Sequence, residues 1–308
     1  MWRLPGLGIK KLYKVLSPQK IAYRDLHIAV FLFGFTAILG DLIQLSALTL
    51  VWWRVLITSI SLLFLAKWAP LLNMRRDMLL KYAGIGVIVG LHWLAFYGSI
   101  KLANASIALV CMATTSFFTA LLEPLILGRK VRFYEIVLGV FIVPGMILVA
   151  NNVEFSMMAG IWVGLASALF ASLFSILNKK LITHASEMNI TLIEMSSAWV
   201  FLGIVLLVMT FNGAAPVQFI PSPSDWIYLL VLALLCTTFA YVLALRALHH
   251  LSAFASNLTI NLEPVYGIIL AWLILKDGEE VTPGFYLGGL IIIASVFSYP
   301  FLRKRFGG

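Results

Sequence analysis

The chain has 308 residues, of which 62% are hydrophobic and only 11% charged. A soluble domain carries about 45–50% apolar and about 25% charged residues, so this composition excludes a water-soluble fold and asks for a bilayer as solvent. The net charge of +9 does not point to nucleic acid, because the basic residues form short clusters between apolar runs and no basic face interleaved with aromatics.

Residues 1–26 form a basic segment with Arg3, Lys10, Lys11, Lys14, Lys20 and Arg24. It has no apolar core and no small-residue cleavage site, so it is not a cleavable signal peptide. Two readings stay open for it. One is a disordered tail; the other is a short interfacial helix with Trp2, Leu4, Leu7, Ile9, Leu12 and Val15 towards lipid.

A spanning helix needs about 20 mostly apolar residues. Such runs lie near 27–44, 47–66, 80–101, 104–127, 133–150, 158–178, 190–211, 226–246, 252–275 and 284–302. The expected fold is therefore an all-α integral membrane protein with ten transmembrane helices. With the amino terminus inside, nineteen Lys and Arg residues fall on the cytoplasmic side. Only Lys101 and Lys276 fall outside, and Arg54 lies within a span. That asymmetry places both termini in the cytoplasm of a bacterial inner membrane.

Sliding the chain by 150 residues reveals an internal repeat. Ala103, Ala105 and Ser106 meet Ala253, Ala255 and Ser256. Leu125, Gly128, Val131 and Gly139 meet Leu275, Gly278, Val281 and Gly289. Five spans per copy is an odd number, so the second copy is inverted. Arg129 and Lys130 follow Gly128 on the inside, whereas Glu279 and Glu280 follow Gly278 on the outside, as the positive-inside rule requires. The parts are then a first five-helix repeat at 27–150, a periplasmic linker at 151–157, a second, inverted repeat at 158–303 and a tail at 304–308.

These features resemble the EamA-type permeases of the drug/metabolite transporter superfamily. The resemblance rests on Arg54, on Ala105-Ser106 through Gly128 and Gly139, and on Ala255-Ser256 through Pro264, Gly278-Glu279 and Gly288-Gly289. It covers about residues 27–303. It implies a basket of helices around a central cavity lined by helices 1, 3, 4, 6, 8 and 9, with helices 5 and 10 at the periphery. It also implies export of amino acids and other small metabolites. Two positions depart from the family pattern: Ser116, where Pro is frequent, and Arg129, where an acidic residue is frequent.

Polar side chains at membrane depth are candidate sites, because each needs a partner, water or a substrate. Helix 9 is the richest. At about 100° per residue, Ser252, Ser256, Thr259 and Glu263 share one face, and Asn257, Asn261 and Pro264 share another. Pro264 frees the carbonyl of Ile260 and predicts a kink. Interhelical hydrogen bonding by these residues is the competing reading. Helix 4 carries Met112, Ser116, Thr119 and Glu123 on one stripe, with Glu123 read as a gate or as a pair to a basic residue. Helix 3 carries His92 with Trp93 and Phe96, suited to proton transfer or to an aromatic wall, and a plain hydrogen-bonded histidine is the alternative. Tyr241 of helix 8 completes the cavity candidates.

Arg54 is expected to pair with Asp41 rather than to touch substrate, although a guanidinium among aromatics also suits a carboxylate. Glu194 and Asn178-Lys179-Lys180 are expected to be solvated at the cytoplasmic interface. Cys111 and Cys236 read as small core residues. No Walker loop, metal-ligand spacing or nucleophile elbow is present, so neither catalysis, a cofactor nor a metal is expected. The partners implied are a small-molecule substrate, the lipid bilayer and a coupled proton, with the oligomeric state open. The alternative function is a membrane-embedded enzyme acting on a lipid or polyprenyl substrate.

Overall fold

A computed structural model describes residues 17–149, 157–214, 218–275 and 283–306. Among them the regular structure is entirely helical: α1 (Pro18–Leu42), α2 (Ala47–Leu63), a short α3 (Trp68–Leu72), α4 (Arg76–Leu102), α5 (Ala105–Leu127), α6 (Phe133–Val149), α7 (Met158–Leu181), α8 (Glu187–Phe211), α9 (Pro223–Ala233), α10 (Ala240–Leu248), α11 (Ala253–Ile260), α12 (Glu263–Leu275) and α13 (Pro283–Phe306). Seven helical segments are long and apolar enough to cross a membrane, one of them the continuous run from α9 through α10. Helix α2 has 17 residues, about 25 Å at 1.5 Å per residue, which is short of a full hydrocarbon core of about 30 Å.

The first helix begins at Pro18, not near residue 27. Ser17 caps it by accepting from the Lys20 amide, and Pro18 occupies the first turn, where its missing donor costs nothing. Asp25 is buried between Arg24 and Arg246 at 2.7 and 3.6 Å, so the charged residues taken for a tail continue the helix. Helix α13 likewise runs to Phe306, past the boundary expected at 303. The expected interfacial helix within residues 1–16, most of the 151–157 linker and the acidic turn at Gly278–Glu280 lie outside the described residues.

The distribution of side chains is inside-out relative to a soluble protein. Leu125, Phe133, Phe211 and Phe301 are exposed, whereas Arg54, Glu123, Glu194 and Glu263 are buried. Lipid solvates the first set, and only the protein interior can partner the second.

Packing follows a two-repeat scheme. Helix α7 packs on α4 and α5, and in the exchanged arrangement α1 packs on α10 and α12. Helices α2 and α8 pair with each other, as do α6 and α13. Among the described residues, none of α6 or α13 lines the central cavity.

Two irregularities shape that cavity. Between α9 and α10 the chain makes a π-helical turn, Leu234–Phe239. Thr237 and Thr238 donate back to the Leu232 and Ala233 carbonyls there. Between α11 and α12 the helix is interrupted at Asn261 and Leu262, directly before Glu263-Pro264. Pro264 has no amide hydrogen for the Ile260 carbonyl, so the break falls where the proline predicts a kink.

Candidate functional site

The cavity is lined from α1, α2, α4, α5, α7, α10, α11 and the first residue of α12. Of the candidates read from the sequence, His92, Trp93, Phe96, Met112, Tyr241, Asn257 and Glu263 all line it, and so does Arg54.

Arg54 projects from α2 and is 2% exposed. Its Nε donates to Thr237 Oγ1 at 2.7 Å and its Nη1 to Tyr97 Oη at 2.8 Å. The guanidinium carbon sits 4.0 Å from the centroid of the Trp93 ring. The π-helical turn presents the Thr237 hydroxyl and α4 presents both aromatics, so two elements hold one cation. Asp41 is exposed and is not its partner. The expected Asp41–Arg54 pair is replaced by neutral hydroxyls because Arg54 points inward, to the cavity, while Asp41 ends α1 on the outer surface. No carboxylate lies within 4.0 Å of Arg54 among the described residues.

Glu263 opens α12 just past the helix break. Thr36 of α1 donates to its Oε1 at 3.3 Å, and no basic group lies within 4.0 Å among the described residues. The site therefore holds one buried cationic side chain and one buried acidic side chain, each hydrogen-bonded only to neutral groups and neither within 4.0 Å of an opposite charge among the described residues.

His92 is positioned by α7. Its Nδ1 lies 3.0 Å from the Ser167 carbonyl oxygen and 2.9 Å from Ser167 Oγ. A carbonyl only accepts, so Nδ1 carries a hydrogen. Phe174 stands 5.3 Å from the His92 ring, centroid to centroid, and 6.3 Å from that of Tyr241. Trp93 meets Tyr241 edge-on at 6.1 Å. These rings form the apolar wall.

Ser116, Thr119 and Asn261 do not line the cavity; they make the seam between α5 and the α11–α12 helix. Asn261 Nδ2 donates to Ser116 Oγ at 3.0 Å, and Asn257 Nδ2 to Thr119 Oγ1 at 2.8 Å. Thr119 Oγ1 gives its hydrogen to the Thr115 carbonyl at 2.6 Å and lies 3.0 Å from Ser172 Oγ of α7. Ser116 thus receives a hydrogen bond and gives its own hydrogen to the Ala113 carbonyl at 3.1 Å. Pro264 sits in the first turn of α12 and bounds the break.

Glu123 lies near the C-terminal end of α5. Its two oxygens accept from the Ala253 and Phe254 amides at 3.2 and 2.9 Å, at the start of α11. Arg129 lies 2.9 Å from Glu123 and also pairs with Glu135. The basic residue at 129 therefore bridges two acids across the α5–α6 turn, where Gly128 takes the left-handed conformation with φ of 68°.

The sequence reading went wrong at Glu194 and Asn178. Both are buried, not solvated at the interface. Tyr241 Oη donates to Glu194 Oε2 at 2.7 Å and accepts from Asn178 Nδ2 at 3.3 Å. Only Lys180 of that cluster is solvated; Lys179 donates to the Leu248 carbonyl. The α7 contribution carried a readable signal: Ala171, Phe174, Ser175 and Asn178 recur at helical spacing and all line the cavity. Thr36 of α1 carried none, since a single threonine in an apolar run is common.

The family model for the EamA-like transporter family matches twice, over residues 26–151 and 158–299. A curated relative, an uncharacterized transporter of Methanothermobacter thermautotrophicus, is 24% identical over 217 residues, or 68% of this chain. The match spans 60% of that relative's length. A solved crystal structure of a protein superposes with a TM-score of 0.74 at 13% identity, covering 94% of this chain and 98% of that one, which shows likeness of fold. The matched segments follow the two halves seen in the packing, and the chain belongs to the EamA-like transporter family.

Proposed function

We propose that this protein is a secondary transporter exporting small zwitterionic metabolites, amino acids among them, across a bacterial inner membrane. The carrying observation is the cavity that holds Arg54 and Glu263, each buried and neither facing an opposite charge within 4.0 Å among the described residues. Such groups are costly in a low-dielectric interior unless something neutralises them. A carboxylate fits the free edge of the Arg54 guanidinium, and an ammonium fits Glu263. The rings of Trp93, Phe96, Phe174 and Tyr241 would receive an apolar side chain.

The ten-span, inverted-repeat arrangement with both termini cytoplasmic suits this reading. It lets the two halves rock about one fixed site and expose it alternately to either side. Glu263 is the first choice for the group that binds the substrate ammonium and, after release, a proton. Its place beside a broken helix supports the choice, because interrupted helices commonly frame such sites. No cofactor enters the scheme.

The test is transport in proteoliposomes with a panel of labelled amino acids, with and without a pH gradient. Saturable uptake of one class, lost in Arg54→Met, is the expected result. Absence of uptake for the whole panel removes the amino-acid assignment.

A further inference from the structure

The Glu194 carboxyl, with the Tyr241 hydroxyl and the Asn178 amide beside it, plays no part in that scheme, which uses only the Tyr241 ring. All three side chains are buried, Glu194 and Asn178 completely. Tyr241 and Asn178 line the cavity, and Glu194 sits behind them on α8. Hydrogen bookkeeping leaves a deficit. The Tyr241 hydroxyl hydrogen goes to Glu194 Oε2, and Asn178 Nδ2 donates to Tyr241 Oη. Glu194 Oε1 and Asn178 Oδ1 are then buried acceptors with no donor among the described residues.

Turning the Asn178 amide over does not repair this. It would set Oδ1 against a tyrosine oxygen whose hydrogen is already given to Glu194. The neighbouring elements supply no cation either. From α4, the Tyr82 hydroxyl donates to the Leu181 carbonyl. From α2, Arg54 is held by Thr237 and Tyr97. Lys179 of α7 donates to Leu248, and His249, after α10, pairs with Glu187. What the cluster lacks is a donor for these two acceptors.

We propose that Glu194 is a proton-binding site coupled to transport, reached from the cavity past Tyr241 and Asn178. Binding adds one proton to Oε1 and converts the carboxylate to the acid; release reverses it, and no electrons move. A hydrogen on Oε1 supplies the missing donor. The proposal rests on the reading of this cavity as the transport path, and it adds a second acidic station to Glu263.

The first measurement needs no substrate. Infrared difference spectra of the purified protein, recorded across a pH titration, report the carbonyl stretch of a carboxylic acid. The expected result is a titrating band that disappears in Glu194→Gln and survives, shifted, in Tyr241→Phe. A band unchanged in both variants overturns the assignment. Should Glu194→Gln fail to fold, the Tyr241→Phe shift decides: a shift supports Glu194, and no shift sinks it. The second measurement is uptake of a tritiated amino-acid mixture into proteoliposomes. The ratio of uptake with a pH gradient to uptake without one is expected to fall about tenfold in Glu194→Gln, within the range of typical coupling energies. An unchanged ratio with weaker apparent affinity would make Glu194 a substrate-ammonium site and overturn the proton role. If no amino acid is carried, the substrate assignment fails while the infrared result still decides Glu194.

Discussion

Gly86 is where α4 comes closest to α8, directly against the residue that bears the buried carboxyl. A Cβ at Gly86 would stand 2.2 Å from the Glu194 carbonyl oxygen, 2.6 Å from its Cα and 2.1 Å from Ser197 Oγ. Two of these atoms are backbone, so they move only if the helices part. Restoring ordinary contact from 2.2 to 3.4 Å requires a separation of about 1.2 Å. Ser197 Oγ also donates to the Ala83 carbonyl across this interface, and the new methyl displaces it. Overpacking of this kind costs about 1–3 kcal/mol. The lost hydrogen bond adds about 1 kcal/mol, and the gain in helix propensity from Gly to Ala returns about 1 kcal/mol. The net expectation for Gly86→Ala is a loss of about 1–3 kcal/mol. The same helix provides its own controls. At Gly84 a Cβ meets nothing within 4 Å, and at Gly90 it meets Ala198 Cβ at an ordinary 3.4 Å. Thermal unfolding in detergent, followed by tryptophan fluorescence, should rank Gly84→Ala and Gly90→Ala at or above wild type and Gly86→Ala clearly below. A Gly86→Ala protein that melts with wild type, or a Gly84→Ala protein that falls with it, refutes the reasoning.

Glu263→Gln keeps the Thr36 hydrogen bond and cannot ionise, so it should fold normally and lose its pH-dependent transport; wild-type rate and pH profile in liposomes would make Glu263 structural. Arg54→Lys keeps the charge but gives up the forked geometry towards Thr237 and Tyr97, and the apparent affinity for carboxylate-bearing substrates should fall by about tenfold, worth about 1.4 kcal/mol. Glu123→Ala strips two acceptors from the start of α11 and one partner from Arg129; a lowered melting temperature, equivalent to about 1–3 kcal/mol, is expected. Single cysteines placed in the 151–157 and 212–225 loops should react with an impermeant thiol reagent from outside, and one in 179–188 should not; the opposite pattern would invert the proposed topology.

Much of the architecture was legible in the sequence because a bilayer imposes a one-dimensional rule. Apolar run length and the alternation of Lys and Arg place helices and loops without knowledge of any tertiary contact. Pro264 marked the break in the α11–α12 helix for a similar reason, since a missing amide hydrogen is a local property. The candidates at His92, Trp93, Phe96, Met112, Tyr241, Asn257 and Glu263 were found as polar or aromatic side chains at membrane depth, and the structure brings them to one cavity.

Depth along a helix, however, says nothing of rotation or of partner. Asn257 and Asn261 lie one turn apart on the same helix, yet Asn257 reaches the cavity and Asn261 only the α5 seam. Arg54 looked bound for Asp41 by depth, and the π-helical turn offered Thr237 instead. Glu194 and Asn178 looked solvated because they lie close to the ends of their helices. They are buried because α4, α7, α8 and α10 converge there and Tyr241 reaches between them. The sequence by itself determined an all-helical, apolar chain with a helix break before Pro264, because each residue's cost in lipid and a proline's missing amide hydrogen are local properties. Only the tertiary structure decided which polar groups are satisfied and which are left waiting, because a hydrogen bond belongs to two helices at once.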